Sequence, residues 1–92
     1  MNVNLERVLR GVIEELNRDW KMEELYHFDG ETNLFKIIDS FSLLSIVIET
    51  EAAIESKVGR YVPLADSDLM VNGVSPFVSF DKWVSFVSEK IN

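Results

Sequence analysis

The pair Asp39-Ser40 opens the segment IIDSFSLLSIVIETEAAIE, residues 37–55, and is the best placed in this chain to do chemistry. A serine hydroxyl at the head of a helix is open to esterification, and the free backbone N–H groups there tolerate a phosphate. The same two residue types are preferred N-caps, and an Asp near a helix start is favoured by the helix dipole by roughly 0.3–1 kcal/mol. Local chemistry alone favours the cap. The two roles are compatible, with Asp39 capping while Ser40 carries a phosphodiester. Other reactive combinations are thin. His27 is the one histidine and there is no cysteine, so a metal site would need a carboxylate cluster. Glu23, Glu24, Asp29 and Glu31 read more simply as solvated loop charge. Ser40 as a hydrolase nucleophile would want His27 as its base, but its surroundings lack a nucleophile elbow. No glycine-rich phosphate loop is present, and Asn72-Gly73 reads as a turn.

The elements that must position Ser40 follow from apolar spacing. Leu5, Val8, Leu9, Val12, Ile13, Leu16 and Trp20 repeat at helical intervals, which predicts an amphipathic first helix capped at Asn2 or Asn4. Gly11 inside it costs roughly 1 kcal/mol relative to Ala and reads as a tight contact. Residues 21–38, with a turn at Asp29-Gly30, read as a long loop anchored by Leu34 and Phe35. The second helix is expected from Ser40 to Val58, stopped by Gly59. Its Leu43, Ile46, Val47, Thr50, Ile54 and Val58 share one side, and Ser42, Ser45, Glu49 and Ser56 form the wet strip. Phe41 and Ile48 fall on the flank, leaving two large apolar side chains near the surface. Residues 60–78 hold both prolines and read mostly as loop, with one short helical turn around Asp66–Met70. Phe80, Trp83, Val84, Val87 and Ile91 define a last helix capped by Ser79. Phe77, Phe80 and Phe86 are read as core in preference to a groove for an apolar chain. The expected fold is all-α: a small antiparallel bundle of three main helices plus one short helix, in a single domain over 1–92.

Composition narrows the function classes. With 47% hydrophobic residues in 92, the chain suits one modest core. The net charge of −7 argues against binding a nucleic-acid backbone and predicts attraction to basic partners. The longest nearly apolar run, Leu43 to Ile48, is too short to span a bilayer. The start, MNVNLERVLR, has no apolar h-region, so the expectation is a cytoplasmic protein without membrane insertion.

The stretch IDSFSLLSIVIETEAAIE resembles the signature of acyl carrier proteins and related peptidyl carrier domains: an Asp-Ser-Leu-type tripeptide opening a helix, then apolar residues, then a Glu-rich end. The resemblance extends to the amphipathic first helix, Leu34-Phe35, Val62-Pro63 and the closing SFDKWVSFV. It implies an acyl carrier protein-like four-helix bundle and a non-catalytic role, in which the protein is a substrate of partner enzymes. It further implies that Ser40 is esterified with 4′-phosphopantetheine from coenzyme A, whose thiol carries an acyl or aminoacyl group as a thioester. A thiol borrowed from a cofactor suits a cysteine-free chain. By position, Asp39 would help a phosphopantetheinyl transferase recognise the site, and Phe41 and Ile48 would be apolar contacts for partner enzymes. Glu49, Glu51 and Glu55 would meet basic docking patches on loading enzymes, synthases or transferases. A free monomer suits such a shuttle.

The chain departs from the pattern in three places. Phe35-Lys36-Ile37-Ile38 fills the space where the family usually has a glycine, Ser42 and Ser45 replace early acids, and Pro63 to Ser79 is long. These differences point to a dedicated carrier in a specialised lipid, polyketide or peptide pathway, away from general fatty acid biosynthesis. The alternative is an unmodified carrier-like module that docks partners through Phe41 and Ile48.

Overall fold

Four α-helices form in the computed structural model, which describes residues 4–64 and 76–91: α1 (Leu5–Trp20), α2 (Leu34–Ile37), α3 (Ser40–Val58) and α4 (Phe80–Ile91). Short 3₁₀ turns at Glu23–Tyr26 and Pro76–Val78 complete the regular structure of the described residues, and no strand occurs among them. The all-helical class and the three long helices agree with the spacing of the apolar residues. The short turn expected at Asp66–Met70 lies outside the described residues.

Each helix starts on a side chain that supplies an acceptor for its free N–H groups. Asn4 accepts from the Arg7 amide at 3.1 Å, Asn33 from Lys36 at 3.2 Å, and Ser79 from Lys82 at 3.1 Å. The ends are equally specific. Lys21 closes α1 in the left-handed conformation (φ 55°), and the buried Asn17 clasps the chain just beyond it. Its amide group donates to the Met22 carbonyl at 3.2 Å and accepts from the Met22 N–H at 2.8 Å. Gly59 ends α3 at φ 86°, where a side chain would be strained.

Three expectations are corrected. Residues 21–38 are not simply loop, because a 3₁₀ turn and α2 both fall within them. Four residues are too few to display a helical period, although the Asn33 cap was readable. Leu34 is fully buried, but Phe35 is 45% exposed and does not anchor the segment. Adjacent helical residues point in directions about 100° apart, so one of the pair turns outward. Gly11 makes no tight contact: a Cβ built on it meets nothing within 4 Å.

The core gathers around α4. Trp83 is fully buried, stacked on Phe77 at 4.6 Å and on Phe86 at 5.8 Å between ring centroids. Phe28 meets Phe80 edge-on at 5.0 Å. The Arg10 guanidinium lies 4.4 Å over the Phe28 ring and donates to the Phe28 carbonyl at 2.9 Å, tying α1 to the loop. That loop in turn feeds the start of α4, whose Phe80 and Asp81 amides donate to the carbonyls of Thr32 and Gly30 at 3.0 and 2.8 Å. A Cβ on Gly30 would come within 2.5 Å of the Asp81 carboxylate, so a side chain there would force that carboxylate to turn aside. On α3 the buried set is Leu43, Ile46, Val47, Thr50 and Ile54, the side expected from spacing, with Val58 half-buried at the end. That anchorage fixes which way the rest of α3 faces.

Candidate functional site

Ser40 is the first residue of α3 and is exposed. The residue before it does the capping. Asp39 is extended (φ −69°, ψ 162°), and one carboxylate oxygen accepts from the Ser42 amide at 2.8 Å. The other accepts from the Ser42 hydroxyl at 3.3 Å. The Ser40 hydroxyl is therefore not needed for the cap and has no hydrogen-bond partner among the described residues. The backbone N–H groups of Ser40 and Phe41 likewise have none there, while that of Leu43 donates to the Asp39 carbonyl at 2.9 Å. Ile38 and Leu43, at the positions before the cap and four into the helix, are both buried, an arrangement that fixes how the chain enters α3. The result is a free hydroxyl beside two free amide donors at the exposed start of α3.

Around Ser40 the surface is apolar. Phe41 is 82% exposed, Leu44 46% and Ile48 55%. Spaced at i, i+3 and i+7, they form one stripe along the outer side of α3. No charged residue occurs from Ser40 to Ile48. Three large apolar side chains are thus held out in a row on a small domain. Phe41 and Ile48 occupy the flank their spacing predicted. Leu44 was missed, although its distance from both in sequence was the available signal.

The three acids expected to meet partners separate. Glu49 and Glu55 are exposed. Glu51 is engaged within the chain, accepting from the Leu64 amide at 2.6 Å and from the Tyr61 hydroxyl at 3.3 Å. It thereby holds the segment that follows α3. Partial loss of water, and then the negative charges of Glu51 and Glu55 together with that hydrogen bond, raise the Tyr61 phenol above its ordinary pKa of 10.0.

The remaining candidates are scattered. His27 is exposed just past the first 3₁₀ turn, and no hydrogen bond joins it to Ser40. Among the described residues no group of three His, Cys, Asp or Glu side chains could hold a metal ion. Phe77 and Phe80 are buried, and Phe86 is half-buried against Trp83. Among the described residues no helix is long and apolar enough to cross a membrane. No family model, curated protein or solved structure matches this chain.

Proposed function

We propose that this chain is a carrier protein, holding acyl or aminoacyl intermediates as thioesters on a 4′-phosphopantetheine arm esterified to Ser40. The observation that carries the reading is the division of labour at the helix start: Asp39 caps, so the exposed Ser40 hydroxyl is spare. The neighbouring residues fit the group. The unpartnered Ser40 and Phe41 amides stand where a phosphodiester would gain hydrogen bonds and a favourable helix dipole.

In the attachment step, the Ser40 oxygen attacks phosphorus in the pyrophosphate of coenzyme A. A phosphodiester forms, the P–O bond to the nucleotide half breaks, and the serine proton leaves. A phosphopantetheinyl transferase supplies the catalysis, with Asp39 and Phe41 beside the target for recognition. The arm, when bound, supplies the thiol that bears the cargo. The protein's own part is presentation: a hydroxyl on a fixed corner, and an apolar stripe of Phe41, Leu44 and Ile48 for partner enzymes to grip. Glu49 and Glu55 remain available to basic patches, and Glu51 is occupied by Leu64 and Tyr61. The absence of charge over residues 40–48 supports a dedicated carrier in a specialised lipid, polyketide or peptide pathway. As a carrier the chain catalyses nothing itself, and a cytoplasmic setting gives it access to coenzyme A.

The test is modification in vitro. The purified chain is incubated with coenzyme A and several promiscuous phosphopantetheinyl transferases, and its intact mass is read. The expected result is a gain of one phosphopantetheine that disappears in Ser40→Ala. No gain with any transferase, in a chain shown to be folded, would overturn the reading. The exposed stripe would then favour the second one, an unmodified interaction module that docks through Phe41 and Ile48.

A further inference from the structure

A groove of about 840 Å³ runs between α1 and α3; of its α3 lining, Ala52 falls in line with the apolar stripe, one turn beyond Ile48, and the other three lie further round the helix. Helical geometry puts the groove-lining Glu49, Ala53 and Lys57 roughly 150° around α3 from Phe41, Leu44 and Ile48. The groove is lined by half-buried Val8 and Leu16 and by small residues, among them Gly11 and Ala53. Its rim carries two bases and two acids: Arg7 and Glu15 on α1, Glu49 and Lys57 on α3. In a chain of net charge −7 this face is balanced.

The placement of those charges is symmetric. On α1, Arg7 and Glu15 each stand four residues from Gly11; on α3, Glu49 and Lys57 each stand four residues from Ala53. Residues four apart lie on one face about 6 Å apart along the axis. Each helix thus shows a base, a small residue and an acid in a row toward the groove. A two-fold axis crossing the groove at Gly11 and Ala53 would lay each helix antiparallel on its own copy. Arg7 would then face Glu15 of the second copy, and Glu49 would face Lys57, every contact being made twice. The small residues fall where the helices cross, and a Cβ on Gly11 meets nothing of its own chain within 4 Å. Arg7, Glu49 and Lys57 form no ion pair among the described residues. Glu15 has only an exposed pair with Arg18 at 3.3 Å, an interaction of little worth in water.

We infer that this groove binds a second copy of the chain, forming an isologous two-fold dimer over α1 and α3. The self-complementary charge pattern is what selects a second copy over an unrelated helix. The inference does not rest on the carrier reading. The Ser40 corner with Phe41 and Leu44 stays outside the contact, whereas Glu49 is engaged in it, which leaves Glu55 as the acid open to basic patches in the dimer.

The test is analytical ultracentrifugation of the full chain from micromolar to millimolar concentration, with native mass spectrometry of mixtures. Wild type should show a reversible monomer–dimer equilibrium. Arg7→Glu with Lys57→Glu makes the rim wholly acidic, and Glu15→Lys with Glu49→Lys makes it wholly basic. Each variant alone should dimerise about tenfold more weakly or worse, and mixing the two should restore a heterodimer. Lys36→Glu with Lys82→Glu adds the same charge as the acidic variant, away from the groove, and should neither lose the homodimer to that extent nor pair selectively with the basic variant. Gly11→Gln should keep the fold by circular dichroism yet lose the dimer. A wild-type chain that stays monomeric throughout would overturn the inference and leave the groove to another partner. A dimer indifferent to these changes would also overturn it.

Discussion

The Tyr61 phenol sits 3.3 Å from a carboxylate that already accepts a backbone amide. Its pKa is raised, so the neutral phenol is the form the fold favours. Where the folded pKa exceeds the unfolded one, the associated stability is fully present below the unfolded value. It is lost as pH climbs past that value and through the folded one. The chain should therefore lose a small increment of stability above about pH 10. Glu51→Gln should move the Tyr61 titration down toward that of a free tyrosine, read from phenolate absorbance. An unchanged Tyr61 titration in Glu51→Gln would contradict the assignment. Glu51 also marks a limit of sequence reading. Asp39 was legible as a cap because its partner lies three residues away. The partners of Glu51 lie ten and thirteen residues on, beyond a glycine stop, and nothing in the local pattern shows that the chain folds back. Tyr61 and Leu44 went unread for related reasons: one depends on that return, and the other sits in a helix with apolar residues on two sides.

At the scale of elements, two glycines in helical surroundings make opposite demands. Gly11 lies mid-helix and exposed, with open space around its Cα, so Gly11→Ala should raise monomer stability by about 1 kcal/mol through helix propensity. Gly59 ends α3 at φ 86°, so Gly59→Ala should cost roughly 1–2 kcal/mol. Urea unfolding at dilute concentration, with unchanged m-values, separates the two signs. Equal effects in the same direction would refute this account of how α1 and α3 are specified. The sequence distinguished them only in part. Gly59 follows the last residue of a periodic run and reads as a stop. Gly11 gives no such cue, and whether its missing side chain is filled by a neighbour is decided by the distance between two helices. The same limit applies to α2: its cap was in the sequence, but four residues carry no period, and only the burial of Leu34 against the exposure of Phe35 shows which way it turns.

Across the whole molecule, three long helices share one core, and its centre is a side chain on the last of them. Trp83 is fully buried between Phe77 and Phe86, and its indole nitrogen has no hydrogen-bond partner among the described residues. The packing of α1 and α3 presents Ser40 at a corner, so the site depends on a core built far along the chain from it. The all-α class was legible because α1, α3 and α4 each repeat an apolar face. How those faces meet was not, since periodicity fixes a face and leaves its partner open. Stability for a domain of 92 residues is expected at roughly 0.05–0.15 kcal/mol per residue, or about 5–14 kcal/mol. Trp83→Ala should cost about 3–5 kcal/mol, a large part of that total. Because one core serves every helix, the loss should appear as a single transition shifted to lower urea, reported together by helical circular dichroism and by amides in α1 and α3. Ser40→Ala, which removes an exposed hydroxyl with no partner, should leave the same curve within about 0.5 kcal/mol of wild type. If Trp83→Ala melted α4 alone and left α1 and α3 protected, the Ser40 corner would not depend on the common core.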